Sequence, residues 1–115
     1  MRDDKENIIV DLSFRFALKI IILSELLEEK RKFVIARQIL KSGTSIGALV
    51  REAQNAESKA DFVHKMKIAA KEADETLYWL ELCKSSNSYP TDDLLIEDLL
   101  VIIKIFSKII GTSKR

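Results

Sequence analysis

The chain has few residues that break regular structure, with three Gly and one Pro among 115 residues. A β-sandwich needs such residues at frequent turns, so this scarcity excludes that class and favours long helices. The single cysteine excludes an internal disulfide and a cysteine-based zinc cluster, and the single histidine excludes multi-histidine metal motifs. From these absences we expect no metal and no cofactor.

The residues that are present predict one folded domain over residues 1–115, because hydrophobic residues make up 47% and charged residues 32%. The longest run without a charge, Ser42–Val50, is too short to cross a membrane. The first six residues are polar and unlike a signal peptide, and a lone thiol suits a reducing compartment. We therefore expect a cytoplasmic protein without membrane attachment.

Apolar residues recur with helical spacing in four segments, at about 7–30, 32–55, 59–85 and 91–112. In the first segment, the apolar stripe runs through Phe16, Ile20, Leu23 and Leu27. The third segment carries a heptad seam of small and apolar residues, formed by Phe62, Met66, Ala69, Ala73, Thr76, Leu80 and Cys83. Short connections place consecutive helices antiparallel to each other. The prediction is an all-α, antiparallel up-down-up-down four-helix bundle.

Two helix starts are marked by capping residues. Ser58 and Asp61 have the form of a capping box, with Asp in place of the more common Glu or Gln. Thr91 or Asp92 can cap the fourth helix, where acidic residues also suit the positive end of the helix dipole. These signals predict where the third and fourth helices begin.

Gly43 and Gly47 lie four residues apart in the second helix and therefore share one face. Each costs about 1 kcal/mol relative to Ala in a helix interior. We interpret the pair as a site where a neighbouring backbone approaches closely. A phosphate-binding glycine loop is the alternative, but no strand precedes the glycines and no Gly-Lys-Ser/Thr follows.

The first and fourth helices carry more apolar surface than a bundle core requires. Each offers a second apolar stripe, formed by Phe14, Leu18, Ile21 and Ile22 in the first helix and by Ile96, Leu100, Ile103 and Ile110 in the fourth. Burial in a partner subunit is the simplest outcome, because patches of this size are rarely left in water. The alternative is a monomer with bulky inner packing.

An ordered set of short motifs resembles one bacterial four-helix-bundle family, the 23S rRNA intervening-sequence proteins. The resemblance extends from about residue 13 to residue 108. The motifs that carry it are Gln38-Ile39-Leu40-Lys41-Ser42-Gly43-Thr44-Ser45-Ile46-Gly47-Ala48, Glu52-Ala53, Ser58-Lys59-Ala60-Asp61-Phe62, Lys65, Ile68-Ala69, Lys71-Glu72-Ala73, Glu75-Thr76 and Tyr78-Trp79-Leu80. The chain departs from the family pattern at Leu49-Val50-Arg51 and at Asp74, where many relatives carry Arg.

The resemblance implies a four-helix bundle that assembles into a homopentameric barrel and has no established catalytic activity. Several members are encoded within insertions in large-subunit ribosomal RNA genes. The fold family also includes the accessory variability proteins of diversity-generating retroelements. Those relatives bind nucleic acid and a reverse transcriptase. An accessory role of that kind is therefore an alternative for this chain.

Positive charge is concentrated in one segment, although the whole chain carries a net charge of only +1. Residues 31–56 hold five basic side chains against Glu52, a local net charge of +4. Arg37, Lys41 and Arg51 share one face of the second helix with Thr44 and Ala48, and Arg31 and Lys32 stand at its start. We hypothesise that this stripe binds the phosphate backbone of a nucleic acid.

Three lysines of the third helix could extend this patch, namely Lys65, Lys67 and Lys71. Pairing with nearby acids, such as Glu75 one turn after Lys71, explains them equally well. The alternative for the stripe on the second helix is a solvated face paired with acids of a neighbouring segment.

The sequence thus predicts a non-enzymatic, ring-forming protein that binds nucleic acid, with RNA as the first target. The second possibility is a protein-protein adaptor, such as a reverse-transcriptase partner. An enzyme is the third, because Glu52, Glu72 and Glu75 could form a carboxylate site between helices. It is disfavoured, since His64 is the only histidine and lacks a Glu three residues before it.

Overall fold

The structure, a computed structural model, describes residues 7–113, which form four helices and no strand. The helices are α1 (Ile8–Glu29), α2 (Phe33–Ala53), α3 (Lys59–Ser85) and α4 (Asp93–Ser113). The all-α fold with four helices is as the sequence predicted. Of the domain expected over 1–115, residues 1–6 and 114–115 lie outside the described part of the chain.

Each helix packs against the next one in the chain, and α1 also packs against α4, which closes a bundle of 45 × 22 × 19 Å. Two side-chain contacts join the α1 region to α2 and to α4. Asn7, before the start of α1, donates a 2.9 Å hydrogen bond to Gln54 at the end of α2. Lys19 in the middle of α1 contacts Asp98 of α4 at 2.7 Å.

The core contains the residues that the helical periodicity placed there. All four members of the first stripe are buried, and the α3 seam is buried from Met66 to Cys83, whereas Phe62 is partly exposed. The largest fully buried side chains are Phe16, Ile20 and Leu27 of α1, Ile39, Ile46 and Val50 of α2, Met66 and Leu80 of α3, and Leu95, Leu99, Ile102 and Phe106 of α4.

One pair of buried hydroxyls connects α2 to α3. The Ser42 and Thr76 oxygens lie 2.8 Å apart, and the Thr76 oxygen is also 2.8 Å from the carbonyl of Glu72. Because each hydroxyl has one proton, Thr76 donates to Glu72 and Ser42 donates to Thr76. Both buried donors are therefore satisfied, and a sliding of α3 along α2 would leave the Ser42 donor without its partner.

The capping signals mark the helix starts with one difference from the expected pattern. Ser58 accepts a 3.0 Å hydrogen bond from the Asp61 amide, as in a capping box. The Asp61 carboxylate, however, accepts from the Glu57 amide at 3.1 Å and not from Ser58. That hydrogen bond is the main reason that the pKa of Asp61 is lowered. Asp92 accepts hydrogen bonds from the amides of Leu94 and Leu95, in the first turn of α4, which begins at Asp93.

The two glycines of α2 stand where α1 comes closest. A Cβ atom on Gly43 would lie 2.8 Å from two side-chain carbons of Ile20, which is fully buried. A Cβ atom on Gly47 would lie 3.2 Å from the backbone carbonyl oxygen of Ser13. The contact of α2 with α1 therefore depends on the missing side chains, as the close-approach interpretation requires.

Replacing Gly43 with Ala should destabilise the fold. Overpacking a core costs about 1–3 kcal/mol, which outweighs the gain of up to about 1 kcal/mol in helix propensity. Gly111→Ala is the matched control, since nothing lies within 4 Å of its added Cβ, and it should keep that gain. The free energies of unfolding in urea measure both effects. Equal stabilisation by the two substitutions would contradict a close α1–α2 contact.

Candidate nucleic-acid interface

The core determines which side of α2 faces outward. Ile39, Gly43 and Ile46 are buried, so residues half a turn away point to solvent. Arg37 and Lys41 occupy that outer side, are exposed, and make no ion pair with any residue between 7 and 113. Arg37, Lys41 and Arg51 form what we call the α2 basic face, which spans about 21 Å along the helix.

Arg51, at the end of this face, lies beside α1. Its guanidinium carbon is 5.8 Å from the ring centre of Phe14, within cation-π distance. Next to this contact is an open depression of about 290 Å³, which we call the α1–α2 recess. It is lined by Val10, Phe14, Ala17, Thr44, Gly47, Ala48 and Arg51.

The two cations before α2 belong to the turn that ends α1. The Arg31 amide donates to the Glu28 carbonyl and the Lys32 amide to the Leu27 carbonyl, the hydrogen-bond pattern of a Schellman motif. Arg31 has a φ of 64°, a conformation that glycine usually supplies at this position. Its side chain is exposed, whereas Lys32 is half-buried with its ammonium 4.8 Å from the ring centre of Tyr89.

The lysines of α3 are not placed beside the α2 basic face. Lys65 is half-buried and contacts Asp61 at 3.5 Å. Thr76 faces α2, because its hydroxyl contacts Ser42. Lys67 stands nine residues before Thr76, which is about two and a half helical turns. Lys67 therefore lies on the side of α3 that faces away from α2. Lys71 is exposed on that outer side one turn further along. The eight predicted cations therefore fall into four groups: the α2 basic face, the turn before α2, Lys65 beside Asp61, and Lys67 with Lys71 on the outer side of α3.

The residues considered for catalysis are dispersed. Glu75 accepts a 3.3 Å hydrogen bond from the indole of Trp79, and His64 is exposed. Between residues 7 and 113, no three potential ligands among His, Cys, Asp and Glu come together as a metal site would require. Burial raises the pKa of the Cys83 thiol, which packs in the core as a small apolar group.

Sequence reasoning missed one residue of this surface, Phe14. Its side chain is 52% exposed and lines the recess beside the cations, although its place in an apolar stripe indicated only a buried contact. The signal is absent from the local sequence, because Phe14 and Arg51 meet only when α1 lies against α2.

Comparison with known proteins identifies the family. Residues 5–111 match the family model described as 23S rRNA-intervening sequence protein. The chain belongs to this family. The resemblance seen in the sequence is thereby confirmed over nearly the full length.

A similar protein whose structure has been solved has the same fold. It comes from Bacteroides thetaiotaomicron and is described as a protein of unknown function from the S23 ribosomal protein family, at 1.70 Å resolution. The two chains are 43% identical, with 90% of this chain and 98% of that chain covered, and the TM-score is 0.85. No functionally curated protein matches the chain. None of the helices within residues 7–113 has the length of apolar sequence that a membrane span needs.

Replacing Arg31 with Gly should stabilise the protein, because a non-glycine residue in the left-handed conformation costs about 1 kcal/mol. The control is Lys30→Gly, which removes the same charge from the preceding residue, where φ is −87°. Thermal unfolding should show a higher Tm for Arg31→Gly and an unchanged or lower Tm for Lys30→Gly. A lower Tm for both would mean that the turn is not strained at Arg31.

Proposed function

We propose that this protein is a non-enzymatic nucleic-acid-binding bundle that contacts phosphates through the α2 basic face, with Arg31 and Lys32 adding charge at one end. The supporting observation is that Arg37 and Lys41 are exposed neighbours without an acidic partner among the described residues. RNA is the first target, and this choice rests on the name of the family alone.

The arrangement of the cations fits a phosphate backbone better than a solvated, charge-balanced helix face. Arginine can hold a phosphate with two hydrogen bonds, whereas lysine supplies a point charge. The acids nearest in the chain are Glu29 before Arg37 and Glu52 directly after Arg51, and neither forms an ion pair with these cations. Lys65 should contribute less, because Asp61 already neutralises part of its charge.

Three cations on one subunit make a weak site, so we infer that the antiparallel up-down-up-down bundle works as a homo-oligomeric ring. Repeating the basic face around a ring would raise the local potential and the number of simultaneous contacts. Five copies are the expected number from the family resemblance.

The surface that suits this assembly lies along α1 and α4. Four apolar side chains on this surface are exposed: Leu18 (50%) and Ile22 (67%) of α1, and Leu94 (68%) and Val101 (51%) of α4. Each lies within about one helical turn of Lys19 or Asp98, which form an ion pair between the two helices. Exposed apolar side chains clustered in this way typically mark a protein contact. A partner other than a second copy is the alternative function, in which the protein acts as an adaptor, for example for a reverse transcriptase.

Reversing two charges of the α2 basic face should abolish RNA binding. The variant is Arg37→Glu with Lys41→Glu, and the control is Lys104→Glu with Lys108→Glu, an equal charge change at equal helical spacing on α4. Affinity for a labelled structured RNA is measured across a salt series. If the first variant retains measurable binding at low salt, the slope of log affinity against log salt should be flatter than that of the wild type by about 1.5 or more.

Equal losses of affinity in the two double variants would show that only net charge matters and would reject the α2 basic face. A matched duplex DNA in the same series distinguishes RNA from DNA as the target. No binding by the wild-type oligomer to either nucleic acid at low salt would reject the proposal and favour the adaptor function.

Introducing a charge at the exposed apolar surface of α1 should reduce the subunit count. Ile22→Glu places a carboxylate where the inferred contact would bury it, at a cost that a subunit interface cannot tolerate. Leu82→Glu is the control, because Leu82 is an exposed apolar residue of α3. Light scattering gives the mass and circular dichroism the helix content. An unchanged mass for folded Ile22→Glu would place the contact elsewhere.

A further inference from the structure

The α1–α2 recess combines features that the α2 basic face alone does not need. Its floor is formed by small residues, Ala17, Gly47 and Ala48, and its edge by the exposed ring of Phe14. Gly47 contributes no side chain here, and a Cβ atom on it would lie 3.2 Å from the Ser13 carbonyl oxygen of α1, which is a tight contact. The close helix contact thus leaves an aromatic ring beside an open depression.

Charge and polarity at the recess favour an anionic ligand that carries a flat ring. Arg51 lines it and makes no ion pair with a described residue, so its donors remain available beside Phe14. An adjoining depression of about 220 Å³ shares Phe14 and Arg51 and adds Asp11. The Asp11 carboxylate is 3.1 Å from Arg15, which partly compensates its repulsion of a phosphate.

We propose that the α1–α2 recess takes an unpaired nucleobase of single-stranded RNA, which stacks on Phe14 while flanking phosphates contact Arg51 and Lys41. This inference rests on the proposed nucleic-acid binding and adds the class of substrate, a single strand or loop and not a duplex. Bases within a duplex cannot reach such a ring, whereas unstacked bases of loops and single strands stack on aromatic and arginine side chains.

The size of the recess agrees with one base. Its volume of about 290 Å³ is just below the range of small-molecule pockets, which measure about 300–1,000 Å³. A larger cavity of about 550 Å³ opens at the end of the bundle among Ile9, Phe62 and Ile109. Of the α2 basic face, Arg51 lines both depressions beside Phe14, whereas Arg37 and Lys41 line neither. No residue of this face lines the larger cavity.

The test compares two RNA probes of equal phosphate number, an unstructured single strand of about 12 nucleotides and a perfect duplex. Phe14→Leu removes the ring and keeps an apolar side chain. Phe33→Leu is the control, because Phe33 is a similarly exposed phenylalanine that does not line the recess. Phe14→Leu should weaken single-strand binding about 10-fold, as the loss of one stacked base does, and leave duplex binding unchanged.

A spectroscopic readout reports the base directly. In the double variant Phe14→Trp with Trp79→Phe, the only tryptophan lies at the recess, and stacking of a base should quench its fluorescence. Quenching by the single strand but not by the duplex supports the inference. A loss of single-strand affinity in Phe14→Leu, with the affinity of Phe33→Leu unchanged, supports it as well.

Three outcomes would overturn it. The first is that the wild type binds the two probes with equal affinity and that Phe14→Leu has the same affinities as Phe33→Leu. This result rejects the base site but leaves phosphate binding by the α2 basic face intact. A lower subunit count for Phe14→Leu would assign the recess to a contact between copies. A wild-type protein that binds neither probe rejects the proposed function together with this inference.

Discussion

The close contact between α1 and α2 is the constraint on which the outer surface depends. Gly43 and Gly47 allow Ile20 and the Ser13 backbone to approach α2, and this approach fixes the rotation of α2 about its axis. With that rotation fixed, the core residues point inward and Arg37 and Lys41 must point to solvent. The same contact that orders the core therefore sets the direction of the positive charge.

A second constraint acts between α2 and α3 and separates their charges. The buried hydroxyl of Ser42 can donate to Thr76 only when these two residues face one another. Their contact sets the rotation of α3 and turns Lys67 and Lys71 away from α2. The protein thus carries its positive charge on several faces, and one rigid ligand on a single subunit could not contact all of it.

Features that repeat along one helix could be predicted from the sequence, whereas features that join two helices could not. The seam from Met66 to Cys83, the Asp92 cap and the close approach at the glycines follow from spacing and residue type. The contact of Arg51 with Phe14 depends on which flanks of two helices meet, and periodicity does not report that. Asp61 was correctly placed at a helix start, but its carboxylate selects the Glu57 amide through local geometry that a sequence pattern does not encode.

The burial of Cys83 has a practical consequence for studying this surface. Its thiol is shielded by the core, and its raised pKa leaves little thiolate to react with alkylating reagents. A cysteine introduced at an exposed position would therefore be modified selectively in the folded protein. Fluorescent or spin labels could be attached at chosen points of each helix without first removing the native cysteine from the seam, where its replacement would disturb packing.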